Sequence, residues 1–561
     1  MFATFTEKEQ IECIYYRSYA LGHALGQREE ALQIVLAARK KYTNLTDRSL
    51  LLALLSRQIF SLCRMNRLDE ALEVITEGDV ILESLTAKER ETGGHWIAFF
   101  EVRKGSYYLL KKDFVTSLKY KQRALALREE IGDPYAIQHS LFNIGVLYQF
   151  RGEYDSSISY YQRYLDIAKQ MGNSYNIARA FTGFGQIYIL KGEFDTALTY
   201  YQQALSTFEE IGSLFEIIDS LYGILDVHIF KGELDTALEY NRRFCSLARK
   251  TGEYNLFLCL FSFARISYLK GEFDTALDYV QQSLDIQRTS GDLDQKFFGA
   301  IVLSALIYHA QGEWDSALER LQQALTEYSE NDIQISEVLF HLVRVVLDQN
   351  NHPQAQEYLT RLQQLQNSTP NPWIHLRSRL AEALVLKQNP RAREKFQAQT
   401  ILEEIVKEEM LKIDLTALAM VQLCELLIAE VKFFGEPTVW EETKTLIEQL
   451  YEMAQDQHLV ALMCEALLLQ AKSAAVDGKL SQAQNYYEQA RLTATEQNLT
   501  GLLAKVSTEQ ERFEAEFETW QKLIQRNVPL QERVNHARME EYIRKAQSML
   551  KMDISRELAT R

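Results

Sequence analysis

The phrase KGEFDTAL stands at 191–198 and again at 270–277, with KGELDTAL between them at 231–238. A chain that repeats one phrase at even spacing folds as stacked copies of one unit. Relatives of the phrase extend the series: RGEYDSSI at 151–158, QGEWDSAL at 311–318 and KKDFVTSL at 111–118. The small residue near the end of each serves as an anchor. The anchors are Ser117, Ser157, Ala197, Ala237, Ala276 and Ala317, with steps of 40, 40, 40, 39 and 41. Fainter anchors are Ala31 and Ala71 before this run, and Ala355, Ala398, Thr443 and Ala483 after it. The step from Ala71 to Ser117 is 46, and TAKERETGG at 86–94 reads as the extra loop.

One unit can be built from its residues. YNIARAFTGFGQIYIL at 175–190 and FDTALTYYQQALSTFEEI at 194–211 both carry apolar residues at helical spacing. Gly192 stands between them, where a left-handed residue ends a helix without strain. Glu193 and Asp195 then suit the positive end of the second helix. Gly132, Gly172, Gly212, Gly252 and Gly291 mark the joints between units. Each unit is thus two antiparallel helices, and neither can bury its apolar stripe alone. The expected fold is all-α, a solenoid of about twelve helix pairs. Its expected segments are degenerate pairs at 1–98, a regular array at 99–366, irregular pairs at 367–500 and capping helices at 501–561. Five of the 7 prolines lie between Pro353 and Pro437, and they are expected at joints, since helix interiors exclude them. From 502 to 552 the pattern reads as two or three charged amphipathic helices divided at Pro529.

These residues resemble the tetratricopeptide repeat. One unit supplies Leu141, Ile144, Gly145, Tyr148, Gly152, Tyr154, Ser157, Tyr161 and Tyr164. The next supplies Phe181, Phe184, Gly185, Tyr188, Gly192, Phe194, Ala197, Tyr201 and Ala204. The match runs across 99–325. The period exceeds the family's usual length of about 34. In this it is similar to the Leu-Gly-Asn adaptors, kinesin light chains and MalT-type regulators. The resemblance implies a right-handed superhelix whose first helices line a concave groove.

Composition narrows the function. Acidic residues outnumber basic ones, 77 to 61, for a net charge of -16, so nucleic acid is not the expected partner. No apolar run is long enough to span a membrane, and charged residues at 7–9 break any signal peptide, so the expected setting is cytoplasmic. The six cysteines, Cys13, Cys63, Cys245, Cys259, Cys424 and Cys464, form no CxxC and read as small core residues. GFGQIY at 183–188 lacks the third glycine and the preceding strand of a phosphate loop. His228 takes the place of Tyr148 and Tyr188 in its unit and reads as structural. No metal, cofactor or catalytic motif is found, and the expectation is a protein that is not an enzyme.

The repeated phrase serves turns and packing, so binding information must lie where units differ. The family's inward positions, carried over, are Arg103 and Ser106 in one unit, then His139, Phe142, Asn143, Val146 and Gln149. Arg179, Thr182, Gly183 and Gln186 follow, then Asp219, Tyr222, Gly223 and Asp226. The last are Phe261, Ser262, Arg265 and Tyr268, then Val302, Leu306 and His309. Gly183, Gly223 and Ser262 would form a low floor between aromatic side chains. The Lys and Asn positions of a carboxylate clamp hold Val102 and Ser106, Phe142 and Val146, and Thr182 and Gln186, so a chaperone tail is not the expected ligand. The resulting expectation is a scaffold or adaptor binding a protein partner's peptide or helix in the groove, centred near Tyr222, Phe261 and Arg265. The alternative is a sensor whose curvature changes when a peptide or small ligand fills that groove.

Overall fold

The computed structural model describes residues 6–542 except 22–26, 43–44, 46, 112, 251–252, 291–297, 329–330, 370, 409–412, 457–458, 497–498 and 540–541. Every regular element among the described residues is a helix. The chain divides into two compact units, 1–187 and 188–561, a break that falls inside the run expected as one regular array.

The first unit holds α1 (Glu7–Tyr19), α2 (Arg28–Lys41), α3 (Ser49–Arg64), α4 (Leu68–Ser84), α5 (Ala87–Thr92), α6 (Gly94–Leu110), α7 (Phe114–Ile131), α8 (Pro134–Phe150), α9 (Tyr154–Gln170) and most of α10 (Ser174–Lys191). The second continues with α11 (Phe194–Ile211), α12 (Leu214–Phe230), α13 (Leu234–Ala248), α14 (Glu253–Lys270), α15 (Phe273–Ser290), α16 (Phe298–Gln311), α17 (Trp314–Glu327), α18 (Asp332–Asp348) and α19 (His352–Ser368). It ends with α20 (Pro372–Lys387), α21 (Ala392–Lys407), α22 (Ile413–Phe434), α23 (Pro437–Asp456), α24 (Val460–Val476), α25 (Leu480–Glu496), α26 (Thr500–Ala515), α27 (Phe517–Gln525) and α28 (Leu530–Ala537). With α5 and the last three set aside, these are twelve consecutive pairs.

All twelve anchors, from Ala31 to Ala483, have 0% exposure and lie near the start of the second helix of a pair. A small side chain there lets the two helices touch. In the first unit the contact is also polar: Ser117 Oγ donates to the Gly105 carbonyl at 2.7 Å, and Ser157 Oγ to the Gly145 carbonyl at 2.7 Å. Gly192 has φ +79°, the left-handed turn expected of it. Five residues before Ala71 and Ala355 stand Asn66 and Asn350, each at φ 58°. Asparagine is the residue that best replaces glycine in that region, so the fainter units keep the same turn.

The repeated phrase also joins neighbouring units. Lys231 of one phrase reaches Asp195 of the phrase before it at 2.9 Å, and Lys270 reaches Asp235 at 2.7 Å. Gln311 and Gln349 repeat the gesture toward Asp274 and Asp315, at 3.2 and 3.0 Å.

Three expectations are corrected or completed. The segment after Thr86 is the short helix α5 rather than a loop, because Thr86 and Glu89 form a reciprocal capping box. Cys245 and Cys259 are joined in a disulfide, with Cα atoms 5.4 Å apart. Residues 14 apart meet because α13 and α14 run antiparallel from a short joint. Gly252 and Gly291 lie outside the described residues. Pro353 and Pro372 stand in the first turns of α19 and α20, and Pro529 caps α28, all at joints as expected.

The second unit has one continuous core reaching from Ile189 to Tyr542. Its first helices are buried nearly all round: every residue of α24 from Cys464 to Val476 is buried, as is every residue of α16 from Phe298 to Ile307. The first unit's core is a smaller cluster running from Ile11 to Tyr107.

Candidate functional site

The two units treat the expected inward positions differently. In the second unit, Asp226 is 0% and Arg265 is 2% exposed, and the two form a salt bridge. Burial disfavours both charges, but Asp226 and a hydrogen bond to Tyr222 hold the Arg265 guanidinium above its ordinary value. Phe261 and Tyr268 lie inside the core cluster. His309 is buried against Asp348, with Nε2 2.7 Å from a carboxylate oxygen. Tyr222 is half-buried and leans on Phe244, ring centres 5.8 Å apart. The expected centre of binding near Phe261 and Arg265 is therefore packed interior, because the helices that follow cover these faces. The expected low floor is also filled. A Cβ at Gly223 would fall 2.3 Å from the Tyr201 ring, and one at Gly183 would fall 2.9 Å from the Tyr161 ring. Ser262 is fully buried.

The first unit leaves the same positions accessible. Arg103, Phe142, Asn143 and Gln186 are half-buried, while His139 and Arg179 are exposed. Gln149 and Gly183 of the expected set in this unit are buried. The accessible residues come from α6, α8 and α10, the first helices of three consecutive pairs. Ser106 Oγ donates to the Val102 carbonyl at 3.0 Å and Thr182 Oγ1 to the Ala178 carbonyl at 3.3 Å. Both are bonds within their own helix. Asn143 Nδ2 donates to the His139 carbonyl at 2.6 Å.

Cations and rings alternate along this face. The Arg179 guanidinium lies 4.3 Å from the centre of the Phe142 ring. Arg103 and Arg57 both stack on Phe60, at 4.5 and 4.7 Å. Arg128 lies 5.2 Å from the Phe99 ring. Tyr161 stands edge-on to Phe142, and its buried hydroxyl has no hydrogen-bond partner among the described residues. His139 is exposed at the rim of this concave face, yet the protein crowded around its ring and the neighbouring Arg128, Arg103, Lys121 and Arg179 push the imidazole below its ordinary value. Burial, then Arg103 and Arg128, push the Lys121 ammonium down to about 8.

Lys121 and Arg128 are absent from the expected set because they sit on a second helix, α7, which the repeat pattern assigns to the outer wall. Lys121 crosses inward over Gly105, where an added Cβ would fall 2.9 Å from its Cγ. The sequence signal was available: a glycine beside a lysine that lacks an acidic residue one unit away.

A second feature escaped the sequence reading. An open cleft of about 990 Å³ in the second unit is lined by Arg344, Lys387, Phe396, Gln422, Glu425 and Phe433 among others. Phe396 and Phe433 are 71% and 83% exposed. Among the described residues no three His, Cys, Asp or Glu side chains converge as metal ligands, and no helix is long and apolar enough to cross a membrane.

The tetratricopeptide repeat model matches residues 97–170 and 140–210, and the MalT-like TPR region matches 178–408. Residues 97–408 are tetratricopeptide repeats. The accessible face of α6, α8 and α10 thus belongs to the first helices of these repeats. No curated protein matches the chain. Among solved structures, a Rap protein complexed with competence and sporulation factor is 14% identical, covering 71% of this chain and 96% of its own, with a TM-score of 0.44. Yeast Tom70 is 12% identical, covering 90% and 100%, with a TM-score of 0.40. The apo form of the quorum sensor NprR from B. thuringiensis is 16% identical, covering 70% and 97%, with a TM-score of 0.37.

Proposed function

We propose that this protein is a non-enzymatic interaction scaffold that holds an extended peptide or a helix of a protein partner against α6, α8 and α10. One observation carries the reading. Residues that differ between repeats stay accessible on these three helices, while their counterparts on α12, α14 and α16 are largely packed away. The accessible set mixes ring, amide and guanidinium groups, the types that anchor interfaces.

The test is selection of a random peptide library on the full chain, followed by affinity measurement with the peptides obtained. Phe142→Ala with Arg179→Ala should weaken binding at least tenfold, about 1.4 kcal/mol, with the melting temperature nearly unchanged. Gln202→Ala with Gln203→Ala, on the exposed side of α11, should bind as wild type. Recovery of no peptide, or full affinity in the first pair, would falsify the reading.

A further inference from the structure

The first unit gathers buried cations that form no ion pair among the described residues. Arg57 is 0%, Arg128 2% and Lys121 7% exposed. Among the described residues, none of them forms an ion pair with a carboxylate, nor does Arg103 or Arg179, and the Asp133 carboxylate acts on Arg128 only at longer range. The unit's undescribed positions contain no Asp or Glu either. Arg57 and Arg128 satisfy part of their donors on Ser18, Ala136 and Ser140. Arg57 Nη1, Arg103 Nε and Arg128 Nε have no hydrogen-bond partner among the described residues.

Burying a charge without a partner costs several kcal/mol, and a half-satisfied polar cluster is worse than an apolar one. Stacking on Phe60 and Phe99 offsets part of that cost but leaves the Arg57 Nη1, Arg103 Nε and Arg128 Nε donors unmet among the described residues. The neighbouring Lys104 shows the ordinary solution: it is buried but paired with Asp79 and Glu101, each at 2.7 Å. The cluster therefore looks outward for its counter-charge. Cations from α3, α6, α7 and α10 converge, with His139 of α8 neutral among them.

We propose that this face takes an acidic peptide, whose carboxylates accept from the accessible Arg103 and Arg179 and are drawn in by the positive field of Arg57, Lys121 and Arg128 buried behind them. The inference rests on the scaffold reading and names the class of its ligand. Four successive first helices at about 8–10 Å per neighbour extend over roughly 25–30 Å. An extended peptide of about eight residues covers that length at roughly 3.3 Å per residue, whereas a single phosphate or carboxylate would satisfy one corner. A nucleic acid fits less well. The rings here are already capped by guanidinium groups rather than offered to bases, and the chain's net charge of -16 repels a long polyanion.

The experiment compares wild type with Lys121→Met and Arg103→Met in the same library selection, with single-stranded oligo-dT as a second probe. Peptides selected on wild type should be enriched in Asp and Glu. Their glutamine and asparagine counterparts should bind at least tenfold more weakly, and both variants should lose the preference while keeping the wild-type helical spectrum. Peptides that bind this face without acidic enrichment overturn the inference and leave the scaffold reading intact. Oligo-dT binding more tightly than the best acidic peptide, and failing in the same variants, overturns it in favour of nucleic acid. If no peptide of any composition is recovered, the scaffold reading falls first and this inference with it.

Discussion

The two units solve one problem in opposite ways. Both place ionisable side chains on the inner faces of first helices. In the second unit these charges find each other at one-repeat separation: Asp226 with Arg265, 39 apart; His309 with Asp348, 39 apart; Lys505 with Glu465, 40 apart. Opposite charges at matching positions of consecutive repeats tie the repeats together. In the first unit Arg103 and Arg179 of first helices meet Lys121 and Arg128 reaching in from α7, and no ion pair with a carboxylate joins these cations among the described residues. The lesson is that a repeat position is inward or outward by its pattern, but cohesive or receptive by what its neighbours supply.

The sharpest way to break this comparison is Arg265→Glu. It sets a second carboxylate beside buried Asp226, and removing the partner of a buried charge costs about 3–5 kcal/mol. Urea melts should show that loss. The double change Asp226→Leu with Arg265→Met should restore most of it, since apolar replacements of buried pairs are often neutral or better. A wild-type melt for Arg265→Glu would mean the pair is solvated.

The next effect should be equal in both units. Ser157→Trp and Ala197→Trp overfill the same crossing and should each cost about 1–3 kcal/mol or more. Glu209→Ala, on an exposed residue paired with Arg243, should stay within about 0.5 kcal/mol. A large difference between the two tryptophan variants would show that the anchors are not equivalent.

Lys121→Met should act in the opposite direction and stabilise the chain by about 1–3 kcal/mol, as expected for removal of an unpaired buried charge. The gain depends on pH. Lys121 titrates near 8 when folded, against 10.5 for a free lysine. Between those values the unfolded chain binds more protons, so wild-type stability rises with pH and the advantage of methionine shrinks. Arg103, Arg128 and neutral His139 face the ammonium, and none reverses that sign. Melting temperatures at pH 7 and pH 10 check it; an advantage that grows with pH would refute the assignment.

The smallest effect should come from Lys231→Met. Its pairs with Asp195 and Glu233 both have a solvent-facing carboxylate, and such bridges are worth about 0.2–1 kcal/mol each. Calorimetry should barely register the loss, and high salt should erase it.

The period of 40 made the fold legible because a packing contact repeats wherever a small residue does. Even Thr443, the least typical anchor, is fully buried at its crossing. The site was legible only in part. Arg103, Phe142, Asn143 and Arg179 were read as accessible and are so placed. Arg265 and Phe261 were read the same way from the same positions, yet later helices cover them. Periodicity within one repeat carries no information about coverage by distant ones. The charge pattern did carry a hint, since Asp226 and Arg265 occupy one repeat position in consecutive repeats with opposite signs. Cys245 and Cys259 were missed because a separation of 14 matches no familiar motif.

The surface pairs between phrases give each repeat of the second unit a head and a tail. Its lysine is the head, reaching back to the aspartate that is the tail of the repeat before. A copy of 231–270 spliced in beside its parent would arrive with both halves of the fastening already in register. Such a chain can lengthen by duplication without inventing a new joint. Where the lysines give way to Gln311 and Gln349, the fastening loses its charge but keeps its hydrogen bond. The joint thus tolerates a change of side chain at its head as long as a donor remains to meet the aspartate.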